Sequence, residues 1–66
     1  MNELLKKMLE ELSTIQQELN AAHEDTVKFS SGNNAAGTRI RKSMQSVKSA
    51  AQRIRTTVQE EKNAMA

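Results

Sequence analysis

Ser30-Ser31-Gly32-Asn33-Asn34 is the one turn-like cluster in a chain of 66 residues that contains no Pro. Its reading decides the fold, because the segments on either side carry the same apolar repeat. Upstream, Met1, Leu5, Met8, Leu12, Ile15, Leu19, Ala22, Thr26 and Phe29 recur at alternating spacings of four and three, and eight of the nine are apolar. Downstream, the same spacing runs through Ile40, Met44, Val47, Ala51, Ile54, Val58, Glu61 and Met65, with seven of eight apolar. A 3.5-residue repeat sustained this long is the seam of a coiled coil, and the period-two alternation of a strand is absent. Gly32 can take the left-handed conformation that ends a helix, and Asn33 or Asn34 can cap the next one. The spacing therefore predicts an all-α chain in one domain: helix about 2–30, turn 31–34, helix about 35–63. A connection this short makes the two helices an antiparallel hairpin.

Composition sets the limits of function. Phe29 is the only aromatic residue, His23 the only His, and there is no Cys. So small a chain cannot enclose the core that surrounds a catalytic cleft or cofactor pocket. Disulfides and thiolate or His-rich metal sites are excluded by residue count. The reading is a non-enzymatic protein with no cofactor, no metal and no small-molecule substrate. The longest apolar run is two residues, too short for a membrane span or a signal-peptide core, which makes a cytoplasmic location the default expectation. Small domains without disulfides or metals compensate by oligomerising. Leu4, Leu9 and Ala50 widen the apolar face beyond a two-helix seam, which predicts a homodimer of hairpins in a four-helix bundle.

The net charge of +2 conceals a strong asymmetry. Residues 1–25 carry −4, whereas residues 26–59 hold seven bases (Lys28, Arg39, Arg41, Lys42, Lys48, Arg53, Arg55) and no acid. Such a distribution points to a polyanionic partner or to pairing between the halves. In a hairpin folded about Gly32, Glu24 lies level with Arg41, Glu18 with Lys48, Glu11 with Arg55 and Lys6 with Glu60. The heptad adds a complication. With the seam at positions a and d, Glu11, Glu18 and Asp25 fall at g, and Arg41, Lys48, Arg55 and Lys62 fall at e. Antiparallel pairing sets g against g, so the acids face Ser43, Ala50 and Thr57. The basic row faces Leu9, Gln16 and His23. Either long Arg side chains reach across, or the row is free for another partner.

A basic row repeating every seven residues lines one flank of a helix at intervals of about 10 Å. It can neutralise successive phosphates and release their counterions. Arg39, Lys42 and Arg53 add charge on the outer and opposite flanks. Arg39, Arg41 and Lys42 also lie near the start of helix 2, where cations oppose the macrodipole. A bound phosphate would reverse that effect, as would Glu24 and Asp25 at the neighbouring end of helix 1. Nothing suggests a stacking platform for single strands, which needs several aromatics. The carboxylate pairs Glu10-Glu11 and Glu24-Asp25 have no pocket to perturb them.

Gly32-Asn33-Asn34-Ala35-Ala36-Gly37-Thr38-Arg39-Ile40-Arg41-Lys42 resembles the core motif of the bacterial linker-histone-like proteins of chlamydiae and Bacteroidetes. That motif is a Gly-Asn-x-Ala-Ala turn, an Arg-x-Arg(-Lys) pair and a basic amphipathic helix. A weaker similarity covers residues 4–62, including Leu12-x-x-Ile15-Gln16-x-x-Leu19. The chlamydial members carry a long Lys/Ala-rich tail, whereas residues 60–66 here read Glu60-Glu61-Lys62-Asn63-Ala64-Met65-Ala66; short tail-less members are similar in length. The resemblance implies a nucleoid-associated protein that binds double-stranded DNA, with Arg39, Arg41 and Lys42 foremost at the contact. Together with the charge pattern it makes Arg39, Arg41, Lys42, Lys48, Arg53 and Arg55 the expected DNA-binding residues. They would act on the phosphate backbone without sequence preference. The rival reading is a structural coiled-coil module whose basic flank meets an acidic helix of a partner protein. A membrane-surface role ranks behind both, since helix 2 lacks the Trp, Phe and Leu usual for insertion.

Overall fold

The computed structural model describes residues 1–65, which form two antiparallel helices, α1 (Glu3–Ser30) and α2 (Asn34–Met65). The molecule is a rod with extents of 52 × 16 × 11 Å. Asn2 caps α1: its side-chain oxygen accepts from the Leu5 N–H at 2.9 Å. Its amide nitrogen donates to Glu61 Oε1 at 2.9 Å, so the same residue ties the open end of the hairpin together.

The turn satisfies its backbone groups in order. Gly32 N–H donates to the Phe29 carbonyl (3.0 Å) and Asn33 N–H to the Lys28 carbonyl (3.1 Å). These are the paired bonds of a Schellman ending, with Gly32 at the left-handed position, φ +96°. Asn33 then caps α2, its Oδ1 accepting from Ala36 N–H at 3.2 Å. Nothing lies within 4 Å of a Cβ placed on Gly32, so the requirement for glycine there is a matter of backbone alone. Gly32→Ala is expected to lower stability by about 1 kcal/mol, a drop in melting temperature of roughly 4–8 °C. Thermal unfolding followed by circular dichroism checks it. Gly37 is needed for a different reason. A Cβ there would lie 2.8 Å from Phe29 Cε1, because the Phe29 ring sits over the bare backbone of α2 and closes the turn end of the core.

The contact surface differs from the predicted seam by a rotation of both helices. With a at Leu5, Leu12, Leu19 and Thr26 of α1 and at Gly37, Met44, Ala51 and Val58 of α2, the helices meet on d and g instead of a and d. The buried residues are Ala22 and Asp25 on α1 and Ala36, Ser43 and Ala50 on α2. Met8, Ile15, Ile40, Val47 and Ile54 at d are half-buried, as are Glu11, Glu18 and Thr57 at g. The a row is pushed to one flank, leaving Leu12, Leu19, Met44 and Val58 between 38% and 43% exposed. The physical cause is size. Position g of α2 reads Ala36, Ser43, Ala50, Thr57, a groove of small side chains once per heptad. Ridges pack closest where such a groove lies. Ala36 and Ala50 are 0% and 1% exposed, whereas no large side chain among the described residues is fully buried.

Candidate nucleic-acid interface

Rotating the seam settles which cations are spoken for. Position g of α1 lies beside position c of α2, and the interhelical ion pairs form there. Arg39 donates through Nε to Asp25 Oδ1 at 3.0 Å, and its Nη2 lies 3.0 Å from the same oxygen. Arg53 Nε pairs with Glu11 Oε1. Glu18, between them, stands level with Ser46 and has no ion-pair partner among the described residues. Two of the four expected levels carry an interhelical pair, one row over, and Lys6 pairs with Glu3 of its own helix at 3.4 Å instead of meeting Glu60. Arg39 and Arg53 take the carboxylates, and Arg41, Lys48 and Arg55 do not reach across. Asp25 also relieves one of the three bases at the start of α2, a helix with no acid in its first turn.

Four of the six cations expected at DNA therefore share one surface. Arg41, Lys48 and Arg55 at e and Lys42 at f point away from α1 and are exposed. None of them has an ion-pair partner among the described residues. Lys62 continues the e row. The other side chains on this outward face are Thr38, Gln45, Gln52 and Gln59 at b, and Ser49, Thr56 and Asn63 at f. The face contains five cations, no carboxylate and only neutral hydrogen-bonding groups between them. Two shallow recesses mark it: Thr38, Arg41, Lys42 and Gln45 line one, and Lys48, Gln52 and Arg55 lie around the next. Charge counting alone picks out the cations, and the row at b, one Thr or Gln per heptad, is the sequence signal that keeps the face free of acid.

Arg39 and Arg53 lie on the opposite flank, with side chains 47% and 59% exposed in their pairs. The acids of α1 that remain exposed, Glu3, Glu10 and Glu24, sit on its own outer surface. The rod is thus electrically two-sided, basic along the back of α2 and mixed along the back of α1. A row with its cations about 10 Å apart over three heptads is a rigid rail some 30 Å long. It can meet an extended polyanion at several points at once. Among the described residues no group of acids, His or Cys could hold a metal ion, and no helix is long and apolar enough to cross a membrane.

Neither a curated protein nor a solved structure matches the chain. A family model does: that of histone H1-like protein Hc1 matches residues 2–64. The match spans both helices and the turn, including the Gly32–Lys42 stretch. The chain belongs to the histone H1-like protein Hc1 family.

Proposed function

We propose that this protein is a non-enzymatic, nucleoid-associated DNA-binding protein that grips the phosphate backbone of duplex DNA through the outward face of α2. The observation that carries the reading is that face itself: Arg41, Lys42, Lys48, Arg55 and Lys62 with no acid among them. The histone H1-like family membership supports the same partner. Arg and Lys donate to phosphate oxygens, and Thr38, Gln45, Gln52 and Gln59 supply neutral donors between the charges. No aromatic side chain accompanies them, and affinity that comes from cations spaced along one face is electrostatic and sequence-independent. Arg39 and Arg53, held by Asp25 and Glu11, chiefly lock the two helices in register and add positive potential from the far flank. A second copy covers the apolar a row, as a homodimer.

A gel-shift titration with a duplex of arbitrary sequence tests the reading. The duplex is expected to shift at low salt. The logarithm of the binding constant should fall against log salt with a slope of about −0.9 per phosphate contacted, four or five in all. A second duplex of unrelated sequence should give the same slope and midpoint. Failure to shift either duplex at low salt would overturn the reading in favour of a coiled-coil module with an acidic protein partner.

A further inference from the structure

The hairpin exposes 5182 Å². A compact monomer of 7.4 kDa exposes about 4,200 Å². The excess, on the order of 1,000 Å², is close to what one partner contributes to a standard protein interface. Part of it is apolar and lies on one side of the rod. Leu5, Leu12 and Leu19 of α1 stand level with Val58, Ala51 and Met44 of α2, with Leu9 at the edge. Leu9, Leu12, Leu19, Met44 and Val58 are all 38–50% exposed. Leu19, His23, Val27, Ile40 and Met44 line one shared groove on this side, which shows that the two a rows form a single face. The stripe runs the length of both helices and is its own mirror in chemistry, so a second copy of the chain fits it.

Two two-fold arrangements bury this stripe face to face. With the turns at opposite ends, α2 lies on α2 of the second copy. Lys48 then meets its own counterpart, and Arg41 meets Arg55. With the turns at the same end, α2 lies on α1 of the second copy. Arg41, Lys48, Arg55 and Lys62 then stand level with its His23, Gln16, Leu9 and Asn2, none of them Lys or Arg. Like charges across a helix contact are unfavourable, and the second arrangement has none. It also turns the two cationic faces outward from opposite edges of the bundle.

We propose that the protein dimerises face to face with both turns at one end, and that the dimer bridges two duplex segments, one on each α2. The first half rests on the stripe and the charge rows. The second half rests on the DNA-binding reading above.

The chain has no Cys, so a single spin label can be placed cleanly. Labels at Ser31→Cys and, separately, Asn63→Cys report the arrangement by dipolar spectroscopy without DNA. Turns at one end place each pair of labels roughly 10–25 Å apart, one helix spacing plus the label arms. Turns at opposite ends place them about 45 Å apart, approaching the full 52 Å length. A short distance at both sites is the expected result. A long distance, or no dipolar coupling at any concentration, overturns the arrangement. Bridging is read by whether bead-bound duplex captures a free fluorescent duplex when protein is added. Leu19→Gln with Val58→Gln should shift duplex in a gel and lose capture. Binding without capture by the unsubstituted protein overturns bridging. No binding at all overturns the DNA reading itself, and the label distances then still decide the arrangement.

Discussion

Ala50→Leu is expected to unfold the hairpin or bring it close to unfolding, while Ala51→Leu, its neighbour in sequence, is expected to leave it folded. Ala50 is 1% exposed and lies on the row of small residues that α2 packs against α1. A Leu there adds three carbons with no void to take them, and overpacking of this kind costs about 1–3 kcal/mol. The helices cannot simply separate by a fraction of an ångström. The Asp25–Arg39 and Glu11–Arg53 pairs and the small residues Ala36 and Ser43 all depend on the same close approach. A domain of this size has a total stability of roughly 3–10 kcal/mol, and a core whose buried apolar side chains are three alanines places it at the low end. Ala51 is on the half-exposed a row, level with Leu12. A Leu there enlarges the exposed stripe, and its effect on stability should stay within about 0.5 kcal/mol or be favourable if the stripe is covered in a dimer. Urea unfolding followed at 222 nm separates the two. Equal tolerance of both substitutions, or damage from Ala51→Leu alone, would mean that the helices meet on a and d after all.

That contrast also shows where the sequence was readable and where it was not. The helices and the turn were legible because their signals are local. A 3.5-residue period specifies helix, and Gly32 next to Asn33 specifies a left-handed stop followed by a cap. The antiparallel pairing followed from loop length. The phase of the seam was not legible from hydrophobicity. The a row is more apolar than the g row, with Leu5, Leu12 and Leu19 against Glu11, Glu18 and Asp25, yet g is the row that packs. Packing distance decided it. Ala36, Ser43 and Ala50 let the backbones approach, and the buried Asp25 and half-buried Glu11 beside them are tolerable because Arg39 and Arg53 lie within reach. For the same reason the levels of the ion pairs were legible and their partners were not. Arg41 and Asp25-paired Arg39 differ by only two residues, but those two residues place them on opposite flanks of α2. The basic character of the site could be read from a 34-residue stretch without acid. Which of its cations were free required knowing which side of α2 faced α1.

The division of α2 into free and committed cations yields the second large effect. Replacing Arg41, Lys48 and Arg55 together with Gln removes three of the proposed phosphate contacts and touches no ion pair among the described residues. Each lost contact reduces the salt slope by about 0.9. The slope should therefore become shallower by about 2.7, and at physiological salt the affinity for any duplex should fall on the order of 10²-fold. Folding should be unaffected, since Gln is as good a helix former as Lys or Arg. Removing three like charges from one helix edge relieves repulsion if it does anything. Replacing Arg39 and Arg53 with Gln should behave in the opposite way. Asp25 is 8% exposed, and without Arg39 its carboxylate is left nearly buried and uncompensated. That substitution is expected to lower the melting temperature, by roughly 4–8 °C for each kcal/mol lost, and to change the salt slope by less than one. Filter binding across a salt series, paired with thermal unfolding of the same samples, separates the two sets. If the Arg39 and Arg53 variant flattened the slope as much as the outer-row variant, the DNA-contacting surface would lie on the opposite flank, where those two side chains emerge. Residues 39–42, inside the stretch that the family model matches, contain both kinds of residue, Arg39 and Arg41-Lys42. The two kinds differ in what they touch: Arg39 pairs with Asp25 across the helices, and Arg41 and Lys42 have no ion-pair partner among the described residues.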